Sequence, residues 1–146
     1  NVKRLGFNYR MTDFQAALGL FQLRRFKKNL IIRKRNAQIY EKQLKNLNIK
    51  FNLFNKNSSY FVFQIFVKKR KNLIQNLIKN GIGVSIHYAT PIPYFDFYKK
   101  KYSFKKKDFK NSLIYGAENI SLPVHHQINK NQIHMICNII AKVIQH

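Results

Sequence analysis

The chain has 146 residues, 45% of them hydrophobic, which is enough for one buried core and too few for two large domains. No apolar run approaches the roughly 20 residues that span a bilayer, and the basic, then polar, N-terminus lacks a signal-peptide core, so a soluble, cytoplasmic segment with no membrane partner is expected. A formal net charge of +23 ordinarily points to nucleic acid or another polyanion, but 21 Lys stand against only 7 Arg, the cation whose planar fork reads phosphates and bases. The charge therefore reads as a solvated surface before it reads as a binding stripe. A basic, non-catalytic protein that binds polyanions stays open as the alternative function.

In chain order, an irregular polar stretch, Gly6 to Met11, runs into a helix start at Thr12, with Gln15 three residues later completing a capping box and Met11 placed to staple onto Ala16. Phe14, Ala17, Leu18 and Phe21 follow the spacing of a buried helical face. A second helix is predicted over roughly 29–47, with Leu30, Ala37, Tyr40, Leu44 and Leu47 inward and Arg33, Lys34, Arg35, Lys42 and Lys45 largely on the wet side. Residues 60–67, rich in aromatic and β-branched types after a polar turn, read as a strand covered on both faces. Leu73, Ile74, Leu77 and Ile78 give the next helix its stripe, which Asn80-Gly81 ends.

Ile82, Val84 and Ile86 then alternate with Gly83, Ser85 and His87, predicting a second strand with Ser85 and His87 on its polar face and His87 at its end. The run Lys99 to Lys107 interleaves aromatics with lysines and reads as a solvated loop with Tyr102 and Phe104 tucked inward. A short helix near 108–117, an extended stretch from Ile120 to His125, and a helix from about 130 close the chain. Asn129 with Gln132 caps that last helix, and Ile133, Ile136, Cys137, Ile140 and Ile144 face inward. Cys137, the one cysteine, has no disulfide partner and reads as a buried thiol. His125-His126 and His87 do not make a metal site, because adjacent histidines point apart in extended chain and no further ligands join them.

Three segments carry a resemblance. Gly6-Phe7-Asn8-Tyr9-Arg10-Met11-Thr12-Asp13-Phe14-Gln15-Ala16-Ala17-Leu18-Gly19 resembles the cofactor loop of the DegT-like nucleotide-sugar aminotransferases, enzymes of fold type I that depend on pyridoxal phosphate. Ile86 to Pro93 and Glu118 to His125 look like two further motifs of that family in the expected order, although this chain has His126 where members often carry Pro. The resemblance implies an α+β fold, the small C-terminal domain of a fold type I transferase: a two-layer arrangement of sheet and helices preceded by long connecting helices. Residues 1–47 would be the cofactor-loop motif and connecting helices, and residues 48–146 the small domain. Since the chain opens on Asn1 and the first motif follows within a few residues, a C-terminal portion is expected, with the large cofactor domain upstream.

By resemblance, Asn8 would offer its amide to the phosphate of a pyridoxal 5'-phosphate held mainly by the neighbouring subunit of a homodimer; the competing role is a turn Asn before a helix. Arg10 would pair with a phosphate or substrate carboxylate, or tie the loop to a buried acid. His87 and Tyr88 lie where family members bring a strand end toward the sugar nucleotide; the bland alternative for His87 is a partly exposed ring satisfied by backbone. The implied reaction transfers an amino group, usually from glutamate, to a nucleotide-linked keto-sugar in polysaccharide or glycan precursor synthesis. Some superfamily members dehydrate the sugar instead, a choice made by the residue at the upstream lysine position. No catalytic residue is assigned in this chain, whose lysines lie mostly in solvated runs, so alone it is expected to be inactive.

Overall fold

The computed structural model describes residues 6–7 and 9–145. Its first element is a single helix, α1 (Asp13–Leu44), of 32 residues, about 48 Å long at the usual rise per residue. The expected break between two helices does not occur. Nothing from Phe21 to Asn29 stops a helix, since the stretch has neither Gly nor Pro; only the apolar stripe fades there. The start is as expected: Thr12 Oγ1 accepts from Gln15 N at 3.2 Å, and Gln15 Oε1 accepts from Thr12 N at 3.0 Å. Met11 nevertheless stays exposed.

Burial along α1 is one-ended. Asn36, Ala37, Tyr40 and Leu44 are buried, whereas Phe14, Leu18 and Phe21, expected to face inward, are exposed because no described element packs on that half of the helix. The C-terminal half packs on α5 (Lys130–Gln145), whose apolar face buries Ile133, Ile136, Cys137 and Ile140. Asn129 and Gln132 cap α5 reciprocally, both bonds at 2.9 Å.

A three-stranded antiparallel sheet of order β1-β2-β3 lies beside these helices, formed by Lys50–Phe51, Phe63–Phe66 and Asn119–Leu122. Phe63 and Ile65 of β2 join the core with Tyr40, Leu44, Ile120 and Leu73 and Leu77 of α2 (Arg70–Lys79). Tyr40 stacks on Phe63 with ring centroids 4.9 Å apart, and its hydroxyl donates to the Pro123 carbonyl at 2.9 Å. Gly81 takes φ 74° after α2, the left-handed value that Asn80-Gly81 predicted.

The expected strand over 82–86 narrows to one bridge, in which Ser85 and Ser121 exchange both backbone hydrogen bonds at 2.8 and 3.2 Å. Gly83 and the exposed Ser85 give this segment little side chain to pack, so it lies along the outer edge of β3 without extending the ladder. Downstream, part of the expected basic loop is helical, α3 (Asp96–Tyr102), followed by α4 (Lys110–Glu118). Tyr102 is 52% exposed, not tucked inward, while Phe104 is half-buried edge-on to Phe109. No helix among the described residues is long and apolar enough to cross a membrane.

Candidate functional site

The turn at His87-Tyr88 is built on two buried polar side chains from the sheet. Gln64 of β2 sits opposite Ser121 in the ladder and points away from the core, as period-two alternation requires for the neighbour of Phe63 and Ile65. Its Nε2 donates to the His87 carbonyl at 2.8 Å, while its Oε1 accepts from the Tyr115 hydroxyl and from Asn52 Nδ2. Asn119, fully buried, accepts the His87 backbone N–H on its Oδ1 at 3.0 Å and donates from Nδ2 to the carbonyls of Tyr115 at 2.7 Å and Tyr88 at 3.4 Å. Arg70 reaches across from α2 to the carbonyls of Gly116 and Asn119. Both sides of the His87-Tyr88 peptide, which is cis, are thereby held by side chains distant in sequence.

The His87 ring is half-buried, with Nδ1 and Ser121 Oγ 2.9 Å apart, which leaves Nε2 without a partner among the described residues. Phe61 and Tyr88 meet this ring edge-on at 5.8 and 5.4 Å. Tyr88 itself is 70% exposed, its ring available to a ligand. His87, Ser85, Ser121 and His125 line one cleft of about 270 Å³, together with Phe61 and Arg33. Arg33, expected on the wet side of its helix, is half-buried here and lines the cleft together with Gly83, Ser85 and His87.

Of the cofactor-loop residues, Asn8 lies outside the described residues. Arg10 is exposed and makes no hydrogen bond or ion pair with a described residue, so the alternative of a buried acid tying down the loop finds no support among them. Phe7 and Tyr9, 75% and 86% exposed, lie with their ring centroids 5.6 Å apart. Among the described residues, the loop and the His87 turn do not meet. From Asp13 at the start of α1 to Arg33 in the cleft is 20 residues of helix, about 30 Å along the axis.

The sequence profile of the DegT/DnrJ/EryC1/StrS aminotransferase family matches residues 1–141. The chain belongs to that family. Among curated relatives it is 33% identical to the UDP-4-amino-4,6-dideoxy-N-acetyl-beta-L-altrosamine transaminase of Campylobacter jejuni over 88% of this chain and 36% of that protein. Among solved structures it is similar to Helicobacter pylori PseC, an aminotransferase involved in the biosynthesis of pseudoaminic acid, with a TM-score of 0.83 and 26% identity over 99% of this chain and 40% of the other. Streptococcus pneumoniae Spr1654, known in PMP and PLP forms, matches with a TM-score of 0.82 and 26% identity over 93% of this chain and 36% of the other in the PMP form. The chain thus spans about two fifths or less of the length of these relatives. The mixed helical and antiparallel-sheet architecture is that of the C-terminal portion of fold type I aminotransferases, as the family resemblance implied.

The family implies pyridoxal phosphate, and the side chains can be tested against it. An exposed, unpartnered guanidinium at Arg10, beside a helix start whose first donors are only partly used, suits a phosphate. The remaining contacts have no donors in the described residues. Among lysines with a described side chain only Lys34 is even half-buried, and it donates to the Lys56 carbonyl; no described Asp or Glu is buried to face a pyridinium nitrogen. The residues present fit the phosphate end of the cofactor alone.

Gln64, Asn119 and Arg33 were not singled out for the site from sequence. Gln64 had a visible signal, a polar residue inside a near-continuous apolar strand; Asn119 lay unassigned within a family motif. Arg33 had none, since its neighbours Lys34 and Arg35 share its charge.

Proposed function

We propose that this chain is the C-terminal part of a pyridoxal-phosphate-dependent aminotransferase that moves an amino group, with glutamate as donor, to a keto-sugar carried on a nucleotide, in polysaccharide or glycan precursor synthesis. Family membership and the transaminase named among the relatives support this reading. When bound, the cofactor supplies the electron sink and amino carrier. The lysine and acid that hold its reactive end belong to a large domain preceding residues 1–47, the connecting segment, and 48–146, the small domain.

The observation that carries the reading is the separation of the two half-sites. Along α1 the loop and the His87 cleft stand about 30 Å apart, too far to serve one cofactor and its substrate from a single chain. A homodimer resolves this: Asn8 and Arg10 contact the phosphate of the neighbouring subunit's cofactor, while His87 and Tyr88 face the sugar nucleotide of their own site. His87 Nε2, unpartnered, donates to or accepts from a sugar hydroxyl or phosphate, and the exposed Tyr88 ring packs on the substrate. We place the enzyme in the cytoplasm, where an unpaired thiol such as Cys137 stays reduced.

The test uses the complete gene product. Asn8→Ala should weaken pyridoxal phosphate binding about tenfold, the loss expected for one hydrogen bond to a charged group. His87→Ala should raise the Michaelis constant for the sugar nucleotide by a similar factor. Cofactor affinity unchanged in the first variant removes Asn8 from the site, and unaltered kinetics in the second removes His87.

A further inference from the structure

Arg33 carries five N–H donors and can accept nothing. Its Nε is shut off from solvent and has no hydrogen-bond partner among the described residues. The guanidinium as a whole makes no hydrogen bond to a described residue, and the side chain lines a cleft, so its remaining donors are left for an acceptor from outside the fold. The chain has five acidic residues in all, and none lines the cleft that Arg33 enters. What the walls do offer is the Ser85 and Ser121 hydroxyls, the His87 and His125 imidazoles, and the apolar edge of Phe61. Every polar side chain there is a hydrogen-bond donor or can become one, and the one permanent charge is positive.

We propose that this cleft binds an oxyanion of a substrate, with Arg33 as its planar fork and His87 and the serine hydroxyls completing the cradle. Guanidinium geometry matches two oxygens of a phosphoryl or carboxylate group, which an ammonium at the same place does not. A volume of about 270 Å³ is below the usual range for a whole drug-sized ligand, so the cleft takes an anionic end, not an entire sugar nucleotide. Resting on the aminotransferase reading, that end is either a phosphoryl group of the nucleotide-linked sugar or the carboxylate of the amino donor.

Two measurements test the site. The Arg33 Nε–H resonance of the unmodified protein, assigned by its absence in Arg33→Lys, is followed by NMR during titration with inorganic pyrophosphate and, separately, with glutamate. A saturable shift with one of them is expected. In the complete enzyme, Arg33→Gln should raise the Michaelis constant about tenfold or more for the substrate bearing that anion, with turnover little changed, the loss expected for a charged hydrogen bond. Pyrophosphate binding with a raised sugar-nucleotide constant assigns the phosphoryl group; glutamate binding with a raised donor constant assigns the carboxylate. A resonance unmoved by either probe, in an enzyme that transaminates, overturns the site and leaves the aminotransferase reading intact. A resonance that moves in a protein without aminotransfer keeps the anion site and overturns that reading. Should Arg33→Gln fail to fold, the titration decides alone.

Discussion

The side chain of Asn119 accepts the backbone N–H of His87 at 3.0 Å, so a fully buried residue of β3 sets where the His87-Tyr88 turn leaves the sheet. With its Nδ2 on the carbonyls of Tyr115 and Tyr88, it joins α4, β3 and the turn at one point.

Replacing Asn119 with Ala strands the His87 N–H, while the Tyr115 carbonyl keeps the backbone N–H of residue 119. We expect a loss of roughly 1–3 kcal/mol, the range for a buried group left without its partner. Urea denaturation of the variant measures it. A loss of a few tenths would mean that water replaces the amide and that the turn does not depend on it.

Gly116 predicts a steric effect on the same turn. A Cβ placed there lies 2.4 Å from the Ala89 carbonyl oxygen and 3.4 Å from Pro91 Cδ, so Gly116→Ala must push the 89–91 segment outward. A cost of about 1–3 kcal/mol is expected, as for other overpacking substitutions. Thermal unfolding checks the stability. In the complete enzyme the sugar-nucleotide Michaelis constant should rise, because Tyr88 moves with that segment.

The two capping boxes should differ in consequence despite matching chemistry. Asn129→Ala removes the cap of α5, which is packed into the core, and should cost about 1 kcal/mol of global stability. Thr12→Ala removes a cap from a helix half that packs on nothing described here, so global unfolding should be unmoved while amide exchange near Asp13 to Ala17 accelerates. Equal shifts in the unfolding midpoint would show that the first half of α1 is coupled to the core.

Such caps were readable in the sequence because donor and acceptor lie three residues apart, and the same locality made Gly81 and the α5 stripe legible. The His87 network was not readable. Gln64 meets His87 across 23 residues and Tyr115 across 51, and no local pattern announces which buried amide will find which carbonyl. The continuity of α1 escaped for another reason: a stripe that fades looks like a helix end, although backbone propensity carries the helix on. Exposure at Phe14, Leu18 and Phe21 likewise reflects the lack of a covering element among the described residues, which periodicity cannot report.

Burial pushes the Cys137 thiol up from an ordinary 9.0 to about 12 and raises the Tyr40 hydroxyl by burial first and the neighbouring Cys137 second. Both groups are neutral acids whose folded state holds its proton longer than the unfolded state. The unfolded chain therefore binds fewer protons above pH 9, and stability falls as pH rises from about 9 toward 12. Denaturation at stepped pH should show this slope, shallower in Cys137→Ala. At neutral pH the thiol should resist alkylation until the protein opens. A slope identical in the variant would assign the alkaline loss to Tyr40 and other groups.

Amino transfer to a keto-sugar is tested most directly in a single half-reaction. The complete gene product, loaded with the amine form of the cofactor, is mixed in stoichiometric amount with a nucleotide-linked keto-sugar, and the sugar nucleotide is weighed by mass spectrometry. An amino sugar is expected in place of the ketone, diminished by His87→Ala. A sugar nucleotide returned unchanged across candidate keto-sugars, or one that has lost water in place of gaining an amine, would contradict it.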